Sequence, residues 1–319
     1  MTRGFVALAC AALVALAGCV QPSEPALRIG TNVWIGCEPL YLAREMGYLD
    51  SKAVQLVEYP SASEVLRAFR NQAIDGMVIS MDELFGLGSE GLQPKVILVV
   101  DVSHGADAIV ARPGTRSMKD LKGKRVAVES GALGAFVLSR ALALNGMKAS
   151  DVKVVPMESN EQPGAFEKGQ VDAAVTFDPY REQLLRAGAM SVFDSTQIPG
   201  EIVDLIAMRM GVLDAQPKSA QALLSGWFKA IDYLKREPRD AAQRMGIRQQ
   251  ISGEQFLKTL QGLHIPTRDE NLRMLSGTKP ELAASGRRLM DLMLEAKLLR
   301  MPLEIENYLA PAPLASLPK

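Results

Sequence analysis

Acidic and aromatic side chains recur where the apolar, strand-like segments of this chain end. Carboxylates accept hydrogen bonds from cationic or N–H-rich groups, and aromatic faces stack on flat rings and attract cations. Lysine is absent from these turns, and Arg181 is the only arginine in them. The pattern predicts a ligand that is a small amine or a nitrogen heterocycle stacked on Trp34. The predicted ligand-binding residues are Trp34, Cys37, Glu38, Ser80, Asp82, Ser103, His104, Asp107, Ser130, Leu133, Phe177, Asp178, Tyr180 and Glu201.

Helix capping is an alternative explanation for each acid taken alone. An acid in the first turn of a helix is favoured by the helix dipole and by free backbone N–H groups. This explanation fits Asp82, Glu83 and Asp178 well. It fits Glu38, Asp107 and Glu201 less well, so these three acids remain the stronger candidates for ligand contact.

A second alternative is an anionic ligand held by the backbone N–H groups of residues 130–134, with most of the acids facing solvent. A sulfonate or nitrate would need such donors, because the turns supply almost no basic side chains. The two interpretations make opposite forecasts for Glu38→Gln and Asp107→Asn. Either change should weaken a cationic ligand and leave the affinity for an anion equal or better.

Several other chemistries find no support in the sequence. Gly86–Gly91 matches G-x-G-x-x-G, but it follows a helix-like segment and precedes a strand, which is the wrong context for a dinucleotide site. With only two histidines, His104 and His264, and no cysteine pair, we expect no metal site, no cofactor and no catalytic residues. His104 itself is also explained as a plain loop residue. The formal net charge of zero indicates no nucleic-acid partner.

The elements that must position these residues alternate between short apolar segments and amphipathic ones, which is typical of α/β proteins. Lys95–Val102 is nearly all Val, Ile and Leu, which predicts a central strand of a parallel sheet buried on both faces. In such sheets, ligands bind beyond the carboxyl ends of the strands. Strands are predicted at 27–34, 54–59, 75–79, 95–102, 108–111, 126–129, 152–156, 173–177 and 203–209. Helices are predicted at 39–46, 61–71, 133–145, 160–168, 220–236, 239–245, 254–260, 269–275 and 280–297, with further helices starting at 80–83 and at 178–180.

The N-terminus has the pattern of an export signal. An apolar run from Phe5 to Ala17 is too short to span a bilayer, and Leu16-Ala17-Gly18-Cys19 resembles a bacterial lipobox. We therefore predict a signal peptide at 1–18, lipidation of Cys19 and a polar, Pro-rich tether at 19–26; an uncleaved anchor helix is the alternative. Cys37 is then the only other thiol of the mature chain, so no internal disulfide is expected.

The stretch 26–50 resembles the first strand and helix of periplasmic solute-binding proteins of the nitrate/taurine/thiamine-precursor family. Their pattern is W-x-G-x-x-P-L-Y-L-A followed by G-Y-F/L-D, and it is matched by Trp34, Gly36, 39–43 and 47–50. The resemblance implies an α/β, two-lobed type II periplasmic-binding-protein fold. Each lobe would be a mostly parallel sheet flanked by helices, with two crossing strands as the hinge. An ordinary strand-to-helix turn is the alternative interpretation of this stretch alone.

The family pattern also implies the organisation of the chain. The first lobe would comprise 27–108 and 205–301, the second lobe 109–204, and a loosely held tail 302–319. The crossing strands would lie at 107–112 and 202–210. A weak echo between 72–78 and 170–175 agrees with two lobes of similar build.

The function that the resemblance implies is the solute-binding subunit of an ABC importer. Its partners would be a small-molecule ligand, an inner-membrane permease with its ATPase, and a membrane bound through the N-terminal lipid. The protein would be a periplasmic or cell-surface monomer, with the membrane leaflet left open by Val20. The alternatives are a ligand-sensing receptor domain and an enzyme like the fungal pyrimidine synthases. The enzyme is disfavoured because their C-C-C-F-G run and several histidines are missing here.

Overall fold

The structure is a computed structural model that describes residues 25–129, 131 and 133–318. The predicted signal peptide, Cys19 and Ser130 lie outside the described residues. The strands are β1 (Leu27–Asn32), β2 (Val54–Tyr59), β3 (Gly76–Ser80), β4 (Lys95–Ser103), β5 (Ala108–Ala111), β6 (Arg125–Val128), β7 (Lys153–Pro156), β8 (Ala173–Thr176), β9 (Met190–Asp194), β10 (Val203–Met208) and β11 (Leu263–His264).

Most of the helices lie close to the predicted positions, whereas the short helices at 210–215 and 312–315 were not predicted. The helices are α1 (Glu38–Glu45), α2 (Ala62–Arg70), α3 (Met81–Ser89), α4 (Leu133–Leu144), α5 (Gln162–Glu167), α6 (Tyr180–Arg186), α7 (Met210–Ala215), α8 (Pro217–Arg236), α9 (Pro238–Arg248), α10 (Gly253–Leu260), α11 (Arg268–Leu275), α12 (Glu281–Glu295) and α13 (Ala312–Ala315). None of the helices in the described ranges combines the length and the apolar character that a bilayer crossing needs.

The strands form two mixed sheets, which confirms the predicted α/β class. The six-stranded sheet has the order β11-β4-β10-β3-β1-β2, and the five-stranded sheet has the order β7-β6-β8-β5-β9. Within the first, β1 is parallel to β2 and β3; within the second, β6 is parallel to β7 and β8. We call the six-stranded sheet with its helices the first lobe and the five-stranded sheet with its helices the second lobe.

The prediction that Lys95–Val102 is a parallel strand is wrong. β4 pairs antiparallel with both β10 and β11, although its centre is buried on both faces as expected. A continuous apolar run reports burial on two faces and carries no information about strand direction. The sequence also missed β9, which is partly exposed, and β11, which has two residues.

The chain passes between the sheets twice. It leaves β4 at Ser103 and enters β5 at Ala108, and it returns between Asp194 of β9 and Val203 of β10. The two predicted crossing strands correspond to β5, in the five-stranded sheet, and β10, in the six-stranded sheet. Each of these strands directly follows one of the two passages. The two passages run side by side, since the Ser103 and Ser195 hydroxyls lie 2.8 Å apart and are hydrogen-bonded.

The expectation of a loosely held C-terminal tail is wrong for its described part. Ile305, Tyr308 and Leu314 are fully or almost fully buried in the core of the first lobe. Leu309 forms a parallel bridge with Val96 of β4. The tail therefore contributes buried apolar surface to the core of the first lobe. Its high proline content alone did not indicate this packing.

Candidate functional site

A small cavity lies between the lobes, where the carboxyl ends of the parallel strands of both sheets face each other. Its volume is about 50 Å³. We call it the interlobe cavity. It is lined by Asn32, Trp34, Ala62, Val78, Ile79, Ser80, Glu83, Asp107, Glu129, Leu133, Gly134, Val137, Ser159, Val175, Thr176, Phe177 and Asp204.

Aromatic rings from both lobes form one wall of the interlobe cavity. Trp34, in the turn after β1, meets Phe177, in the turn after β8, edge to face. The indole N–H of Trp34 donates to Asp101 Oδ2 at 3.1 Å, which fixes the ring orientation. Tyr180 packs edge-on against Phe177 but does not line the cavity, and its hydroxyl donates to the Pro60 carbonyl at 3.4 Å.

The ionisable side chains that line the cavity are all acidic: Glu83, Asp107, Glu129 and Asp204. In the part of the chain that the structure describes, no lysine, arginine or histidine lines the cavity. Burial raises the pKa of Asp107 to about 7. The hydrogen bond with Ser103 lowers this pKa, whereas the nearby charges of Asp101 and Asp82 raise it. Burial, followed by repulsion from Asp82, raises the pKa of Glu83 to about 8.

Asp204 belongs to this group through its position in the sheet. It is the cross-strand partner of Ser80 on β3 and of Asp101 on β4. Burial and then the charges of Asp101 and Asp107 raise the pKa of Asp204 well above its ordinary value. We call Glu83, Asp107 and Asp204, with the neighbouring Asp82, Asp101 and Glu129, the acidic cluster. At neutral pH this cluster therefore retains protons that isolated acids would have lost.

Three polar atoms of the cavity wall have no hydrogen-bond partner among the described residues. They are Ser80 Oγ, Asp107 Oδ2 and Thr176 Oγ1, and all three side chains are almost completely buried. A buried polar atom without a partner costs free energy. All three residues line the cavity, so a ligand there is positioned to satisfy these atoms.

Glu38 and Glu201, two predicted site residues, are held away from the interlobe cavity by arginines from distant segments. Glu38 is buried and accepts from Arg248 Nε at 3.1 Å and from Gln249 Nε2 at 2.6 Å. Glu201 forms a bidentate pair with Arg140, with the longer of its two hydrogen bonds at 2.8 Å. The sequence did not predict these ion pairs, because the arginines come from distant segments and not from the same turns.

Four other predicted residues do not line the interlobe cavity: Cys37, Asp82, Ser103 and His104. Cys37 is buried in the core of the first lobe, and burial raises the pKa of its thiol well above the ordinary value. Asp82 is buried at the start of α3, where its neighbour Glu83 is the residue that lines the cavity. Ser103 forms part of the passage between the lobes, and His104 is exposed.

Asp178 lies in a second, wider cavity of about 340 Å³ on the α6–α10 side of the lobe contact, together with Arg181 and Lys258. Its Oδ1 accepts from the backbone N–H of Glu182 at 3.2 Å, which agrees with the capping explanation. Arg181 crosses from the second lobe to the passage and donates to the Gly105 carbonyl at 2.6 Å.

The predicted ligand-binding residues do not include Glu83, which helix capping explained, or Glu129, Asp204 and Thr176. Glu129 and Thr176 stand at the carboxyl ends of predicted strands, so the strand-end rule applied evenly would have included them. Asp204 stands at the start of a strand. It reaches the cavity because β10 runs antiparallel to β3, which the sequence did not indicate.

The predicted residues that line the interlobe cavity are Trp34, Ser80, Asp107, Leu133 and Phe177. No cluster of His, Cys, Asp and Glu suited to a metal ion occurs among the residues that the structure describes.

Two α/β lobes around a polar cavity define the class of periplasmic-binding-protein folds. The chain belongs to the NMT1-like family, whose sequence profile matches residues 20–249. This confirms the resemblance that the first strand and helix indicated.

Three known proteins illustrate the similarity. A protein of Escherichia coli (strain K12), provisionally named an aliphatic sulfonates-binding protein, is 30% identical over 61% of this chain, and the match spans 64% of that protein. The alkanesulfonate-binding protein SsuA from Xanthomonas axonopodis pv. citri, solved with MOPS, has a TM-score of 0.73 at 19% identity and covers 92% of this chain and 98% of its own. The desulfurization enzyme DSZB has a TM-score of 0.66 at 18% identity, and the match covers 92% of this chain and 98% of the DSZB chain. At these identities the solved structures show the fold alone.

Proposed function

We propose that this protein is the extracytoplasmic solute-binding subunit of an ABC importer. The observation that carries the proposal is the interlobe cavity, which takes side chains from both lobes. A solute held by both lobes stabilises the arrangement in which they are together, and an inner-membrane permease with its ATPase would respond to that arrangement. Residues 1–26 would supply export and, through a lipid on Cys19, attachment to a membrane on its periplasmic side.

We further propose that the solute is small and is cationic or rich in N–H donors, such as an amine or a nitrogen heterocycle. The cavity wall contributes carboxylates, of which Asp107 has an acceptor oxygen, Oδ2, without a partner. Once the pH exceeds the raised pKa values of these acids, an anion at that position would lie beside like charges in a low-dielectric space, which is unfavourable. Trp34 and Phe177 add flat aromatic surfaces for a ring.

A sulfonate is the second candidate, because the E. coli and Xanthomonas relatives are named for sulfonate binding. It would require that the acids of the cavity be protonated and that backbone N–H groups hold the sulfonate. The raised pKa values of Asp107 and Glu83 make protonation accessible near neutral pH. The two candidates therefore differ in the pH dependence of binding as well as in the ligand.

A screen of thermal stability against both ligand classes tests the proposal. The panel would contain small amines, nitrogen heterocycles, alkanesulfonates and nitrate, with titration calorimetry for each compound that raises the melting temperature. We expect binding by nitrogen compounds that strengthens from about pH 6 to about pH 8, as the acids lose protons. Binding confined to sulfonates or nitrate that strengthens towards lower pH would refute the nitrogen-ligand proposal and retain the solute-binding role.

Turnover separates this role from catalysis, since DSZB shows that an enzyme shares the fold. The Cys37 thiol is buried in the first lobe and its pKa is raised, so it is poorly suited to act as a nucleophile. We expect any bound compound to be recovered unchanged by mass spectrometry after long incubation. A converted product would refute the transport proposal in favour of an enzyme.

A further inference from the structure

Glu83 joins the N-terminal ends of two helices that belong to different lobes. Its Oε2 accepts from the backbone N–H of Ser80 at 2.9 Å, at the start of its own helix α3 in the first lobe. Its Oε1 accepts from the backbone N–H of Leu133 at 3.4 Å, at the start of α4 in the second lobe. The side chain is 5% exposed and lines the interlobe cavity.

Glu129 makes the same kind of connection in the opposite direction. It follows β6 in the second lobe, and its Oε1 accepts from the backbone N–H and the hydroxyl of Ser63 at 2.7 and 2.8 Å. Ser63 lies in the first turn of α2 in the first lobe. Oε2 of Glu129 accepts from the hydroxyl of Ser159, within the second lobe. Glu129 is 5% exposed and also lines the cavity.

The backbone N–H groups at the start of a helix are natural anion sites, because they are free donors at the positive end of the helix dipole. Helices α2 and α4 have nine and twelve residues and begin at the cavity. Donors at both starts already bind carboxylates of the chain itself. The same wall holds the unpartnered oxygens Asp107 Oδ2 and Thr176 Oγ1, which indicates that polar ligand groups bind in this space.

We propose that Glu83 and Glu129 determine specificity by occupying the helix-terminal N–H groups that an anionic solute would otherwise use. The inference rests on the proposed function in one respect: the interlobe cavity is taken as the ligand site. The two glutamates would exclude anions in two ways. They occupy the donors, and the neighbouring acids disfavour any further negative charge in this space, as the raised pKa of Glu83 indicates.

The electrostatics of the cluster agree with this role. After burial, the causes that raise the pKa of Glu83 are the charges of Asp82 and, more weakly, Glu129. The cavity therefore already opposes a further negative charge on Glu83. A sulfonate or sulfate entering the same space would meet the same repulsion, whereas a cation would relieve it.

Glutamine substitutions at about pH 8.5 test the inference. They keep the shape of the side chain, carry no charge, and replace one of the two acceptor oxygens by an NH2 group, so one helix-terminal N–H is released. The variants are Glu83→Gln, Glu129→Gln and the double change, and the probe is methanesulfonate, titrated by calorimetry at constant ionic strength. Glu64→Gln is the matched control: Glu64 also lies in the first turn of α2, but its side chain is 37% exposed and it does not line the cavity. Thermal unfolding establishes that each variant is folded.

We expect the original protein and Glu64→Gln to bind methanesulfonate no more tightly than about 10 mM, and each cavity variant to gain about tenfold or more. The inference is overturned if the original protein binds methanesulfonate as tightly as the variants do, or if folded variants gain nothing. Should Glu83→Gln fail to fold, Glu129→Gln decides the question alone. A gain in the variants without any nitrogen ligand for the original protein would support the exclusion of anions and refute the proposed ligand class.

Discussion

Trp34 of the first lobe and Phe177 of the second lobe are in edge-to-face contact in one wall of the interlobe cavity, with ring centroids 5.4 Å apart and planes at 84°. Each ring stands in the turn that follows a strand of its own sheet. The contact therefore joins the two sheets directly beside the proposed ligand site. It couples the distance between the lobes to the geometry of that site.

Replacing Phe177 with Leu should favour separation of the lobes. An aromatic pair contributes about 0.5–1.5 kcal/mol beyond simple burial, and leucine keeps most of the apolar surface. We expect the radius of gyration measured by X-ray scattering to increase. Phe228→Leu is the control, since Phe228 is a partly buried ring of α8 that does not line the interlobe cavity. Equal radii for both variants would contradict the coupling.

Ligand binding should stabilise and compact the protein. A cavity of about 50 Å³ holds little more than a few water molecules, so a larger solute must enter while the lobes are apart. At one hundred times Kd, a ligand adds about 2.7 kcal/mol of stability, and the melting temperature should rise accordingly. Scattering should show a smaller radius of gyration with ligand than without. Stabilisation without compaction would contradict a hinge between the lobes.

Asp107→Asn and Glu38→Gln should have different effects. Asp107 lines the cavity, so its change should weaken a cationic ligand by about tenfold or more, as expected for the loss of one charge-assisted hydrogen bond. Glu38 is bound to Arg248 and Gln249 away from the cavity, so its change should reduce stability by about 1–3 kcal/mol and leave affinity nearly unchanged.

Calorimetric titration and thermal unfolding of both variants separate the two effects. This corrects the sequence-based expectation that Glu38 and Asp107 would behave alike. A tenfold loss of ligand affinity in Glu38→Gln would show that Glu38 acts on the site from a distance.

The stability of the protein should fall as the pH rises from about 5.5 to about 8.5. Burial raises the pKa of Asp107 to about 7 and that of Glu83 to about 8, whereas the same acids in an unfolded chain titrate near 4. The folded state then holds protons that the unfolded state has released, so these groups favour folding at low pH. Their contribution is lost as the pH passes their folded pKa values.

Melting temperatures at constant ionic strength measure this dependence, with a shift of about 2–4 °C for each kcal/mol. Asp204→Asn, which removes one member of the cluster and relieves repulsion on the others, should flatten the curve. Glu90→Gln, at a partly exposed acid paired with Arg70, should leave the slope in this range unchanged. A melting temperature that rises with pH would contradict the assignment.

Cys19→Ala should release the protein from membranes. Cys19 lies outside the described residues, so this prediction rests on the sequence Leu16-Ala17-Gly18-Cys19. Acyl chains on the cysteine would supply the hydrophobic attachment. Membrane and soluble fractions separated by centrifugation measure the effect. A variant that remains with the membranes would show that the apolar N-terminus itself is the anchor.

The sequence alone was enough to predict the α/β class, most of the helices and strands, and the family. These depend on local patterns: the alternation of apolar residues, the Gly and Pro positions, and the strand–turn–helix unit from Leu27 to Glu45. It also placed Trp34 and Phe177 at strand ends, where the two rings now define one wall of the cavity. Local chemistry is sufficient for such features because it is encoded within a few residues.

The tertiary structure decided which acids face the cavity and which are neutralised. Arg248 and Arg140 reach Glu38 and Glu201 from helices 210 and 61 residues away in the sequence, and no local pattern could reveal those pairs. Asp204 lines the cavity only because β10 is antiparallel to β3. The apolar residues of a strand do not indicate its direction in the sheet. The charge of the site is therefore a property of the packing, since it depends on how distant helices and reversed strands bring acids and bases together.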